Sequence, residues 1–197
     1  MDRDGTVCHE VGYVNHVDRV RLLERSAQAV RQVNESGFQA VLITNQAGVA
    51  RGYFPEPLVD DAHDRLRALL AEEGARLDGI YYCPHHPEVG NAPYRQDCAC
   101  RKPRPGMLQR ASEEMGIDLA SSYVVGDTIK DIEAGHRVDA RTVLVLTGYG
   151  KGEIEIHGAR WKVRPHHVAG DLLDAVRWIL ETDRSAGLLP SVDAAQR

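Results

Sequence analysis

The stretch "FQAVLITN" (38–45) reads as a buried strand that ends in polar residues. A continuous apolar run needs cover on both sides, which a parallel sheet flanked by helices supplies. Its neighbours fit that demand. "ERSAQAVRQVNESG" (24–37) reads as an amphipathic helix stopped by Gly37, and "PLVDDAHDRLRALLAEEG" (57–74) as a second helix closed by glycine. Outward along the chain the alternation continues. Strands are expected at "GIYYC" (79–83), "SYVVGD" (122–127) and "RTVLVLTG" (141–148), with a short one at "WKV" (161–163). Helices are expected at "PGMLQRASEEMG" (105–116), "IKDIEAGHR" (129–137) and "GDLLDAVRWIL" (170–180). Strands alternating with helices imply βαβ units and an α/β, Rossmann-like, doubly wound parallel sheet. The expectation is one domain over 1–182 and a loose tail over 183–197.

Ligands of such sheets bind beyond the carboxyl ends of the strands. Asp2 and Asp4 of "MDRDGT" (1–6), Thr44 and Asn45, and Gly126-Asp127 all lie where a strand gives way to a loop. Parallel strands place those ends on one edge, so residues far apart in sequence converge. In extended chain, positions i and i+2 face the same side. One carboxylate of the Asp2/Asp4 pair can then attack a phosphorus atom while the other gives a proton to the leaving oxygen. Mg²⁺ relieves the repulsion between such close carboxylates. Asp127 would complete its protein ligands, with Asp131 one helical turn on in the outer shell. Gly5 lets the backbone bend close to a phosphate. Thr44 and Asn45 can donate to phosphoryl oxygens, and Lys102 can neutralise the transferred group. Lys102 stands out because the chain has only three other lysines among its 24 basic residues. Each signal alone has a bland reading: an acidic terminus, a turn, a helix cap.

Together, "DRDGT" (2–6), "ITN" (43–45), "RKP" (101–103) and "GDTIKD" (126–131) resemble the four motifs of the haloacid dehalogenase superfamily of phosphatases. The resemblance runs from Asp2 to about Leu180. It implies Asp2 as phosphoryl-accepting nucleophile, Asp4 as general acid/base, and Thr44 and Lys102 as holders of the phosphoryl group. Mg²⁺ would rest on Asp2, the Asp4 backbone carbonyl and Asp127.

"CPHHP" (83–87) and "CAC" (98–100) add a second constellation. Cys83, His85, Cys98 and Cys100 offer three thiolates and one imidazole, the donor set of a closed, structural Zn²⁺ site. His86 competes with His85; the C-x-H spacing mirrors C-x-C and favours His85. Such an ion would pin the loop 83–100 that leads into Arg101 and Lys102. Cys8 lies apart and reads as a free thiol. "GYV" (12–14), "NQAGVARG" (45–52) and "YYCPHHP" (81–87) are similar to phosphatases acting on heptose 1,7-bisphosphates, and less closely to histidinol-phosphate phosphatases. That resemblance implies removal of the C7 phosphate in nucleotide-activated heptose biosynthesis. It also implies contacts from Arg51 and Arg101 to the sugar bisphosphate, and a minimal or absent cap domain.

Composition sets the remaining expectations. A formal net charge of −5 and the brevity of the basic run "CRKPRP" (100–105) argue against a nucleic-acid partner. No apolar run approaches the roughly 20 residues of a membrane span, and no secretory signal is legible, which places the chain in the cytoplasm. A monomer is the default. Relatives carry several apolar residues ahead of the first aspartate as a central strand, whereas Met1 alone precedes Asp2 here. The expectation is a trimmed or misassigned start, with greater stability and activity in a form extended upstream.

Overall fold

The computed structural model describes residues 1–187. Among the described residues five strands form, each parallel to its neighbours. β1 (Val41–Asn45) pairs with β2 (Gly79–Cys83). β3 (Tyr123–Gly126), β4 (Arg141–Val145) and β5 (His167–Ala169) make the other sheet, in that order. The helices between them are α1 (Ser26–Glu35), α2 (Pro57–Glu72), α3 (Gly106–Met115), α4 (Ile129–His136), the single turn α5 (Gly150–Gly152) and α6 (Leu172–Ser185). Local chemistry fixes several starts. Pro57 opens α2, where a preset φ suits the first turn. The Asp171 side chain caps α6 by accepting from the Asp174 N–H at 2.9 Å.

The strands show why both faces need cover. Leu42 packs with α1, α2 and α6 in one apolar cluster, and its neighbour Ile43 packs with α3 in another. Val125 and Val124 divide in the same way. Period-2 alternation with both faces apolar is the mark of a doubly wound sheet. Among the described residues, no helix is long and apolar enough to cross a membrane.

Two short residues join the half-sheets. The Met1 amino group donates to Val41 O at 2.8 Å, and Ile43 N–H donates to Met1 O at 2.9 Å. On the other side Asp2 N–H donates to Val125 O at 2.9 Å. Odd-numbered residues of β1 and β3 therefore turn their peptide groups toward this seam. Even-numbered Ala40 and Ser122 turn their carbonyls outward, to Asp78 and Arg141. Away from the strand ends, a cavity of about 310 Å³ opens beside Met1, lined by Val41, Ile43, Leu108, Val125 and Val176.

Two expectations change, and one stretch without an expectation takes on structure. "WKV" (161–163) forms no strand; the third strand of its sheet is His167–Ala169 instead. The chain from Gly150 to Arg160 winds into short helical turns that no apolar period announces. α6 runs past 182 to Ser185, because Asp183 is buried and accepts from the Tyr123 hydroxyl. Of the expected tail, 188–197 lies outside the described residues.

Filling the cavity beside Met1 should stabilise the molecule. Each buried aliphatic side chain contributes roughly 1.5–3 kcal/mol. A chain carrying four or five apolar residues ahead of Met1, in register with β1 and β3, is expected to melt at least about 5 °C higher and to gain activity. An unchanged midpoint in a calorimetric comparison would mean that no strand fits there.

Candidate active site

The sheet delivers its polar residues to one edge, as the strand order requires. Asp2 leaves the seam, Thr44 and Asn45 end β1, and Asp127 follows β3. With Asp4, Gln46, Thr128 and Tyr149 they line a cleft of about 110 Å³. The larger cavity beside Met1 belongs to the sheet's packing and holds none of this group.

Lys102 is the centre of the charge arrangement. Its side chain is 3% exposed, and its ammonium donates to Asp131 Oδ1 at 2.6 Å and to Ile43 O at 2.9 Å. It also lies 2.9 Å from Asp2 Oδ2. Burial opposes the ammonium, but Asp131 and Asp2 outweigh it, and the Lys102 pKa is raised. Asp2 Oδ1 accepts from the Arg3 N–H at 2.7 Å. Burial lifts the Asp2 carboxyl to about 6 against the pull of Lys102. Asp131 has a second duty. Its Oδ2 accepts from Thr128 Oγ1 at 2.7 Å and Thr128 N at 3.2 Å, fixing the start of α4.

Asp127 is the group best suited to a cation. Its Oδ2 accepts from Tyr149 N–H at 2.8 Å, while its buried Oδ1 has no partner. Burial, then the charges of Asp2 and Asp131, push its carboxyl to about 8. Carboxylate oxygens of Asp2, Asp127 and Asp131 lie within 4.8 Å of one another. Two glycines make room for this approach. A Cβ on Gly5 would sit 2.1 Å from Asp127 Oδ2, and one on Gly148 would sit 2.2 Å from it. The orphaned buried oxygen of Asp127, with the Asp2 carboxylate beside it, fits a small divalent ion, while both oxygens of Asp131 are engaged by Lys102 and Thr128.

Thr44 is buried, and its Oγ1 accepts from Gln46 Nε2 at 3.0 Å, which leaves its own hydrogen free for an anion. Asn45 lines the cleft, but its amide is engaged with the Lys102 peptide. Nδ2 donates to Lys102 O at 3.1 Å, and Lys102 N–H donates to Oδ1 at 3.0 Å. Asn45 thus carries the backbone of Lys102.

The second constellation also assembles. Cys83, His85, Cys98 and Cys100 bring one donor atom each within 4.8 Å of one another. Cys83 Sγ is 3.4 Å from Cys98 Sγ and 3.1 Å from Cys100 Sγ; His85 Nδ1 is 3.4 Å from Cys100 Sγ. Tetrahedral bonds of about 2.3 Å would space sulfurs by roughly 3.7 Å, close to this packing. The cluster can hold a metal. His86 turns elsewhere: its Nδ1 accepts from Glu88 N–H and Val89 N–H, and its Nε2 is 3.3 Å from Arg51 Nη2. Arg101 donates to His85 O at 3.2 Å. Burial, then the charges of Arg101 and Arg51, lower the His86 pKa. Cys8 is a buried thiol pushed up to about 12 by burial and by Asp4, which makes it unreactive.

Sequence reading missed Gln46, which donates to Asp4 Oδ2 at 2.9 Å as well as to Thr44. It also missed the Tyr149 N–H, a backbone group that no side-chain motif reports.

Residues 99–175 match the HAD-hydrolase-like family model. The chain is 46% identical over 149 residues to the D-glycero-beta-D-manno-heptose-1,7-bisphosphate 7-phosphatase of Pasteurella multocida, across 75% of this chain and 80% of that one. It is 43% identical over 149 residues to the protein of that name from Escherichia coli K12, across 75% and 78%. The D,D-heptose 1.7-bisphosphate phosphatase from B. bronchiseptica, solved with magnesium and phosphate, superposes with a TM-score of 0.81. It shares 32% identity, with 92% of this chain and 96% of that one covered.

Asp2 and Asp127 hold protons to higher pH folded than unfolded. Their contribution to metal-free stability is full below about pH 4 and is lost as the pH rises through about 6 and about 8. A divalent ion must displace those protons, so its apparent affinity should climb over the same window. The check is the thermal shift on adding Mg²⁺, expected to be larger at pH 8 than at pH 6.

Proposed function

The chain belongs to the phosphatases of the haloacid dehalogenase-like hydrolases, and we propose that it removes the C7 phosphate from D-glycero-D-manno-heptose 1,7-bisphosphate, in the making of nucleotide-activated heptose. The observation that carries this reading is the meeting of Asp2, Asp127, Thr44 and Lys102 at one strand edge. Identity of 43–46% to relatives bearing that activity in their names supports the substrate. Those relatives are named for the β anomer.

Asp2, the Asp4 backbone carbonyl and Asp127 would hold Mg²⁺, which would draw charge from the phosphoryl oxygens. The chain's own residues do the rest. Asp2 forms a bond from a carboxylate oxygen to phosphorus as the ester P–O bond breaks, giving an aspartyl phosphate. Asp4 gives its proton to the leaving sugar oxygen, then takes one from the water that hydrolyses the acyl phosphate. Lys102 and the Thr44 hydroxyl hold the phosphoryl oxygens in both halves. Arg51 and Arg101 would meet the far phosphate or the hydroxyls. Zn²⁺ on Cys83, His85, Cys98 and Cys100 would hold Arg101 and Lys102 in place without touching the reaction.

Asp2→Asn should reduce turnover by several orders of magnitude, since an amide cannot become the acyl phosphate. Phosphate release from both heptose anomers, histidinol phosphate and fructose 1,6-bisphosphate tests the substrate. Preference for histidinol phosphate would overturn it. Metal analysis should find one zinc per chain, and Cys98→Ser should lose it together with stability and activity. A full equivalent of zinc with normal activity in that variant would refute the ligand set.

A further inference from the structure

Between the two aspartates of "DRD" sits a residue with no part in the chemistry so far. The Arg3 side chain is 1% exposed. Its fork closes on the Asp4 carboxylate, with Nε donating to Oδ1 at 3.1 Å and Nη2 to Oδ2 at 2.9 Å. Such a bidentate pair fixes the plane of a carboxylate as well as its distance. Gln46 Nε2 adds a third donor to Oδ2 at 2.9 Å. The remaining arm, Nη1, lies 3.3 Å from Nε2 of His63 on α2. A guanidinium can only donate, so His63 Nε2 accepts and the ring is neutral. The ring is 4% exposed and rests 5.5 Å from the ring of Tyr82. Burial, then Arg3 and Arg67, drive its pKa down to about 3, consistent with a neutral acceptor.

We propose that Arg3, backed by His63, is a positioning residue that aims the Asp4 carboxyl at the leaving oxygen. Any buried guanidinium needs a counter-charge, but this one takes both oxygens of the carboxylate placed to move a proton. An apolar side chain of similar volume often serves stability as well. The inference rests on the role of Asp4 proposed above.

The leaving group separates aim from architecture. An alkoxide needs a proton as it departs, whereas p-nitrophenolate does not. The ratio kcat/KM reports formation of the aspartyl phosphate, so the two esters isolate the proton transfer. Arg3→Met should lower kcat/KM for heptose 1,7-bisphosphate by roughly 10- to 100-fold more than for p-nitrophenyl phosphate. Asp4→Asn should show the same selectivity in larger measure. Arg3→Lys, which keeps the charge without the fork, should recover little of the loss. Equal losses on both esters would overturn the proposal and leave Arg3 a structural residue. Should Arg3→Met fail to fold, His63→Leu carries the test. A smaller shift of the same ratio supports the proposal, and an unchanged ratio refutes it. Wild-type protein that hydrolyses neither ester would instead defeat the phosphatase reading itself.

Discussion

A single buried ammonium organises this molecule. Lys102 reaches Asp2 from the seam, Ile43 O from β1 and Asp131 from α4, while its own peptide is gripped by Asn45. A cation so deep is tolerated only with partners, and here those partners come from three separate parts of the chain. The reverse also holds. Asp2 and Asp131 would repel each other across the same space without the charge between them. Lys102 is thus the pair-maker on which both carboxylates depend, and the cation that would face phosphoryl oxygens in the proposed reaction.

Much of this was legible in the residues. The run 38–45 announced β1 because a fully covered parallel strand must be continuously apolar, and the shift to Thr44 and Asn45 marked its carboxyl end. The spacing of Cys83, His85, Cys98 and Cys100 pointed to one cluster, and the side chains meet. Legibility failed where partners are distant and unpatterned. Nothing local links Arg3 to His63, sixty residues on, or Gln46 to Asp4. "WKV" has strand-forming residues, but β4 takes its neighbour from His167–Ala169, a choice made by tertiary pairing rather than propensity. Asn45 shows a subtler gap. Its place at the strand end was readable, but its engagement with the Lys102 peptide was not.

The strand-end cluster and the loops beside it are carried by different kinds of structure. Asp2, Thr44 and Asp127 sit at strand ends, where the ladder sets backbone position to within a fraction of a hydrogen bond. Arg51, His86 and Arg101 sit on loops held by side-chain contacts. In the proposed reaction, chemistry common to many phosphate esters would rest on the rigid part. Contacts that would distinguish one ester from another rest on the part that can change without disturbing the sheet.

The seam of Met1 and Asp2 has a final consequence. The same peptide group that stitches β3 to the rest of the sheet belongs to the residue whose carboxylate faces the cleft. Parting the two half-sheets by even an ångström would drag Asp2 from Lys102 and from the space shared with Asp127. Breathing of the architecture and loss of competence are then one event. Heat or denaturant should silence the site at the first opening of that seam, while helices on either side are still wound.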